Sequence, residues 1–181
     1  MHNIENPTVP ATFPINEPLQ DGAEISVHGH VSHDHHKDFV VELLSGQHVV
    51  LHVNFRFDHE HTVVLNSSSF GEWGQELRHH NPLKHHDQFA LHIRVQQGHY
   101  HVSVNGIHLG DFAHRIPYQS VQALGIKGHV HVDKITFHGF HFQRDWNEPH
   151  DYGHGGYNNY GNAGYVAPQF QGDHAYNAYF Q

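Results

Sequence analysis

Seven side chains between positions 52 and 78 carry the groups that non-covalent recognition of a polyhydroxylated ring requires. His52, Asn54 and Arg56 alternate along 48–57, Asn66 follows Val64 along 62–66, and Trp73 shortly precedes Glu76 and Arg78. In extended chain, successive side chains face opposite sides. His52, Asn54 and Arg56 are therefore expected on one exposed ridge, with Val49, Leu51, Val53, Phe55 and Phe57 turned into a core. The same parity predicts Val63 and Leu65 inward, Val64 and Asn66 outward, and Glu76 beside Arg78 on a strand over 75–78. An indole face can cover the C–H side of a pyranose while guanidinium, amide and carboxylate groups fix its hydroxyls. Glu76, between two arginines, is expected to stay ionised and hold both guanidinium planes.

Two other chemistries compete for these residues. Glycoside hydrolysis needs two carboxyl groups flanking the scissile bond, one of them a free acid of raised pKa. Glu72 and Glu76 are the nearby pair, but Glu76 is committed to arginine and Glu72 falls in the preceding turn, so no enzyme is expected. Metal binding is the second. His28 and His30, His99 and His101, and His129 and His131 each stand two apart, so each pair shares a face. With a third imidazole across the ladder, such a pair could hold Zn²⁺, Cu²⁺ or Ni²⁺. The simpler reading is that His fills solvent-facing positions, and no metal site is assigned.

The elements that must position these residues read as all-β. Apolar alternation spans residues 24–31, 38–44, 48–57, 62–66, 75–78, 88–96, 99–104, 121–126 and 129–142, the last irregular near Lys134. No long stripe of 3.6-residue period argues for a helix. Short strands between Gly, Asn, Asp and Pro turns predict an antiparallel β-sandwich. Asn105-Gly106, between apolar residues, predicts a two-residue type I′ hairpin turn. One domain is expected over 1–146. From 147 to 181, Tyr, Gly, Asn, His and Ala replace the alternating pattern, which predicts a low-complexity, disordered tail; the alternatives are a tail that docks on the sandwich or one that self-associates through its tyrosines.

His52-x-Asn54-x-Arg56, Val64-x-Asn66 and Trp73-x-x-Glu76-x-Arg78 together resemble the galectin signature. Val9-Pro10, Asp21-Gly22, Phe112-x-His114-Arg115-x-Pro117 and Gly128 extend the resemblance across residues 8 to 142. It implies a jelly-roll sandwich of the galectin kind that binds β-galactosides of glycoproteins or glycolipids, lactose and N-acetyllactosamine among them, without metal or cofactor. It further implies that His52, Asn54 and Arg56 hold the axial 4-hydroxyl of galactose, Asn66 and Glu76 the 6-hydroxyl, and Trp73 the ring, with Arg78 and Glu76 reaching the next sugar. Phe55 stands where the family often has Pro, the 58–61 loop is short, and 81–87 lacks the usual Gly before Phe89. A second function class stays open beside the lectin: a histidine-rich, metal-binding or pH-responsive scaffold on the same fold with little sugar binding.

Composition bounds the rest. The chain has 181 residues and no cysteine, which excludes disulfides, zinc-thiolate sites and a cysteine nucleophile. The first residues lack the basic segment and apolar run of a signal peptide, and no apolar run is long enough to span a membrane. Synthesis in the cytosol is expected, with any export bypassing a signal peptide. Nine Lys and Arg against 18 Asp and Glu leave no fixed basic patch for nucleic acid or a membrane surface. The formal charge of −9 treats all 26 histidines as neutral. Partial protonation brings it to about −3 at pH 7, and at pH 5.5 unperturbed imidazoles carry it to about +14. Electrophoretic mobility of the folded chain should therefore reverse sign between pH 7.5 and 5.5. A mobility that keeps its sign contradicts this reading.

Overall fold

Alternation decides which face of most of the longer strands is buried, and thirteen strands are present among the described residues. The computed structural model describes residues 1–32, 37–147, 157, 159 and 160. The strands are β1 (His2–Glu5), β2 (Ala11–Pro14), β3 (Glu24–Val31), β4 (Phe39–Ser45), β5 (His48–Phe55), β6 (Thr62–Ser69) and β7 (Glu72–Trp73). They continue with β8 (Leu77–His80), β9 (Gln88–Val95), β10 (His99–Val104), β11 (Ile107–Ala113), β12 (Ala123–Gly128) and β13 (Val130–His138). One antiparallel sheet runs β1-β13-β3-β9-β10-β11; the other runs β2-β12-β4-β5-β6-β7, with β8 also paired to β6. A single 3-10 turn (Tyr118–Ser120) is the one helical element described, and no described helix is long and apolar enough to cross a membrane.

The two sheets pack face to face as the expected sandwich. Ile25, Val27, Leu91, Ile93, Tyr100 and Val102 of one sheet belong to the same core as Val41, Leu43, Leu51, Val53, Phe55, Val63 and Leu65 of the other. Phe39 joins the layers: it stacks on Phe55 with centroids 4.6 Å apart, and on Phe89 of the opposite sheet at 5.3 Å. Offset aromatic pairs of this kind add to their area burial and fix the position of neighbouring strands. Asn105 and Gly106 form the expected hairpin turn, both at positive φ (50° and 79°). The Asn105 amide oxygen accepts the Ala90 N–H at 2.8 Å, tying the turn to β9.

Four strands lie outside the expected nine. β1, β2 and β7 are too short to show alternation, and β11 is interrupted by a bulge. The last strand ends at His138 and not at 142, because Gly139 turns the chain at φ 80° beside the Gly22 carbonyl. The pairing strand near 77 covers Leu77–His80, so Glu76 precedes it. Val49 was expected in the core, but a bulge between Leu43/Leu44 and Val49/His52 inserts a residue. Val50 is buried in its place, and Val49 joins an outer cluster of Leu44, Ala123, Tyr157 and Tyr160. Val64 points outward as expected yet is buried, because it sits between Asn54 and Arg78 in the ladder. Apart from Tyr157, Asn159 and Tyr160, the expected tail lies outside the described residues.

Phe55 and Arg56 are neighbours in sequence with opposite structural duties. Phe55→Ala should lower unfolding free energy by about 3–5 kcal/mol, the usual cost of removing a buried ring, while Arg56→Ala should leave stability nearly unchanged. Denaturant unfolding of both variants checks this; equal losses would contradict the assigned faces.

Candidate functional site

Ladder register brings the predicted polar residues together in rows. Glu42, His52 and Asn66 are partners across β4, β5 and β6, and Val40, Asn54, Val64 and Arg78 form the next row through β8. Directly paired residues on a sheet share a face, so His52 lies beside Asn66 and one row from Arg78. Trp73 enters through β7, paired with Ser68. Its ring meets His52 edge to face at 4.6 Å while half of the residue remains exposed.

His52 is held from behind by a residue the sequence reasoning missed. Its Nδ1 lies 2.5 Å from the Oε2 of Glu42, a buried carboxylate on β4. The other oxygen, Oε1, accepts the Tyr160 hydroxyl at 2.7 Å and has the Lys127 ammonium at 3.8 Å. Burial pushes the Glu42 carboxyl up, but the His52 hydrogen bond and charge, the Tyr160 hydroxyl and Lys127 prevail and hold it below its ordinary value. An ionised carboxylate can only accept, so Nδ1 carries the imidazole proton and Nε2 is left as the ring's acceptor when His52 is neutral. Tyr160 lies over Gly125, where a Cβ would come within 2.6 Å of the ring, and Lys127 stands 4.7 Å above its centroid. Burial first, then the Glu42 charge, push the Tyr160 hydroxyl far up, so it serves as a donor. Tyr157 donates to Gln122 at 3.2 Å, and these two tail tyrosines are thus committed to their own sheet.

Charged groups of alternating sign form the other wall. Arg56 donates through Nε to Asn54 Oδ1 (2.7 Å), through Nη1 to Glu60 (2.9 Å) and through Nη2 to Glu76 (3.4 Å). Arg78 reaches the same two carboxylates, each at 2.6 Å. Glu76 therefore bridges the two arginines as expected, and Glu60 does so as well. Hydrogen bonds from Arg78 and Arg56 hold the Glu60 carboxyl below its usual range, and those that Arg78 donates to Glu60 and Glu76 raise Arg78. The Asn54 amide donates to the Phe39 carbonyl at 3.2 Å. Asn66 donates to the Gly74 carbonyl at 2.9 Å and accepts from the Ser67 N–H and Arg115. Arg115 also donates to the Gln75 carbonyl at 2.6 Å, bracing the segment between Trp73 and Glu76.

The seven predicted residues thus converge on one face of the β4-β5-β6 sheet. From Asn54 and Arg56 an open groove of about 780 Å³ continues past Asp58, His59 and Glu60 to Lys37, Asp38 and His129. Glu42, Glu60, Arg115 and Tyr160 complete the surroundings and were not predicted as site residues. A carboxylate at an outward position within the apolar run of β4 was the available signal for Glu42. Glu60 lay in a loop, and nothing local marked its reach. Glu76 has no unpaired carboxyl for acid catalysis, and Glu72 stands exposed on β7.

The family model for galactoside-binding lectins matches residues 10–137, and the chain belongs to that family, the galectins, which bind carbohydrate without catalysis. It is 62% identical over 180 residues to a Caenorhabditis elegans protein, "Probable galaptin lec-8", covering 99% of this chain and all of that one. "Probable galaptin lec-7" of the same organism is 48% identical, covering 83% and 84% of the two chains. The crystal structure of C. elegans galectin LEC-6 superposes with a TM-score of 0.70 at 31% identity, covering 76% of this chain and 96% of that one.

Glu42→Gln keeps the shape but removes the charge that orients His52 and Tyr160. Because Glu42 is held below its ordinary value, its contribution is present above the unfolded-state pKa and lost as pH falls through the folded-state value. Unfolding at neutral pH should show the variant less stable by about 1–3 kcal/mol. The gap should close in acid below about pH 4.5, the unfolded-state range. A gap independent of pH would contradict the charged role of Glu42.

Proposed function

We propose that the protein binds β-galactosides of the lactose and N-acetyllactosamine type through His52, Asn54, Arg56, Asn66, Trp73, Glu76 and Arg78. The observation that supports this most directly is the half-exposed Trp73 indole standing against His52, beside polar groups already held in place. A pyranose laid on that indole buries its C–H face, which leaves its hydroxyls toward the polar wall. The axial 4-hydroxyl of galactose donates to His52 Nε2 and accepts from Arg56, whose plane is fixed by Asn54, Glu60 and Glu76. One Asn66 N–H is committed to Gly74; the second, with Glu76, serves the 6-hydroxyl. Arg78 reaches the following sugar.

Selectivity follows from preorganisation. An equatorial 4-hydroxyl, as in glucose, points away from His52 and Arg56, and each desolvated group left without a partner costs about 1–3 kcal/mol. The ligands are then galactose-terminated glycans of glycoproteins or glycolipids, whose individually weak contacts gain from multivalent display. Trp73→Ala and Arg56→Ala should each abolish retention on immobilised lactose while circular dichroism stays unchanged, and free lactose, but not glucose or mannose, should elute the wild type. Undiminished retention of either variant would overturn the assignment.

A further inference from the structure

On the sheet that faces away from these residues, four donor groups meet at the edge. His99 and His101 share the outer face of β10, and Asp111 of β11 is the ladder partner of His101. His108 is three residues from Asp111, an odd separation that in regular strand would send it to the opposite face. A bulge between Val102 and Ser103 absorbs one residue of β11, so Leu109 turns inward and is buried while His108 stays outside. All three imidazoles thereby converge on one carboxylate oxygen. Asp111 Oδ1 lies 2.9 Å from His108 Nε2, 3.0 Å from His101 Nδ1 and 3.5 Å from His99 Nε2. The His101 and His108 rings stack at 4.4 Å within 9° of parallel.

We propose that His99, His101, His108 and Asp111 form a binding site for a divalent first-row transition ion, with Zn²⁺ as the best fit. The donor atoms of His99, His101 and Asp111 all lie within 4.8 Å of one another. Ligands of a tetrahedral zinc ion at the usual bond lengths stand about 3.4 Å apart; His108, bonded to Asp111 at 2.9 Å but outside that group of three, becomes the fourth ligand by turning its ring toward them. Three imidazole nitrogens and one carboxylate suit Zn²⁺, Cu²⁺ or Ni²⁺ and do not suit Ca²⁺ or Mg²⁺, which take oxygen donors. Asp111 Oδ1 already stands within hydrogen-bond distance of the His101 and His108 rings, so the carboxylate is in place beside the imidazoles. The nearest cation in the ladder is Arg94, the partner of His101, and Arg94 also faces Glu24 across β3.

A second cluster supplies an internal comparison. His30 and His131 stack at 4.6 Å near Asp133 and form an equivalent group of three donors, but with longer nitrogen to carboxylate distances of 3.9 and 3.3 Å. The shorter distances at Asp111, with His108 bonded to the same oxygen, make it the stronger site. β11 is the edge strand of its sheet, and an ion bridging it to β10 would pin that edge. Binding to the folded state alone stabilises it by mass action. The site stands across the core from Trp73, so the ion would leave sugar retention unchanged.

The full-length protein, stripped with chelator, should be titrated with Zn²⁺ against a chromophoric competitor, alongside His101→Gln/His108→Gln, Asp111→Asn and His30→Gln/His131→Gln. The wild type and the last variant should share a strongest Zn²⁺ equivalent that both Asp111-site variants weaken by about tenfold or more. Zn²⁺ should raise the thermal midpoint of the wild type more than that of those two variants, and lactose retention should be equal in all four proteins. An unchanged strongest equivalent in both Asp111-site variants, or its loss in the His30→Gln/His131→Gln variant alone, would overturn the proposal.

Discussion

The register of β5 between β4 and β6 is the constraint on which the rest depends. It sets Glu42 against His52 and His52 against Asn66, and it sends the intervening Leu51, Val53 and Phe55 into the core. Shifting that pairing by one residue would exchange the two faces, burying the polar row and exposing the aromatic one. The core therefore enforces the site: the stack of Phe39, Phe55 and Phe89 holds β4 and β5 in step from the side opposite the polar groups. The bulge beyond Val49 lies outside this locked stretch, where a change of face costs only the burial of Val49 under Tyr157 and Tyr160.

Behind the exposed residues stands a buried electrostatic frame. Glu42 would be costly so deep in the sheet without His52, Tyr160 and Lys127 around it, since an unpaired buried carboxylate neutralises or destabilises the fold. With them it orients an imidazole whose remaining nitrogen accepts when the ring is neutral. Arg56 and Arg78 are treated the same way, each held by two carboxylates, and Arg56 also by the Asn54 amide oxygen. Polar groups fixed before a ligand arrives lose little freedom when it binds, which is how a shallow site achieves selectivity.

Parity made the inward residues of β5 and β6 and the outward trio His52, Asn54 and Arg56 legible, because a strand with one buried face writes its orientation in every second residue. The same rule misplaced Val49 at a bulge and could not mark Val64 as buried, since that burial comes from the neighbouring Asn54 and Arg78. Glu42, Glu60 and Arg115 were unreadable as partners of His52, Arg56 and Asn66, respectively, because those contacts depend on which strands pair and where loops fold back. His108 illustrates the point on the other sheet: its face is set by a one-residue bulge, while the His99 and His101 pair was visible from spacing alone. The tail tyrosines Tyr157 and Tyr160 carried no pattern, and their docking depends on Gly125 being flat enough to receive a ring.

Four histidines, His2, His28, His48 and His114, are kept below the ordinary imidazole range chiefly by burial and so resist protonation in mild acid. A different imidazole, that of His52, is the one we propose Glu42 orients for an axial hydroxyl above Trp73. A crystal structure of the full chain with lactose tests it most directly. The galactose ring should lie parallel to the Trp73 indole, with its 4-hydroxyl about 2.6–3.2 Å from His52 Nε2. Lactose bound at another face, or over Trp73 with the 4-hydroxyl turned away from His52, would contradict it.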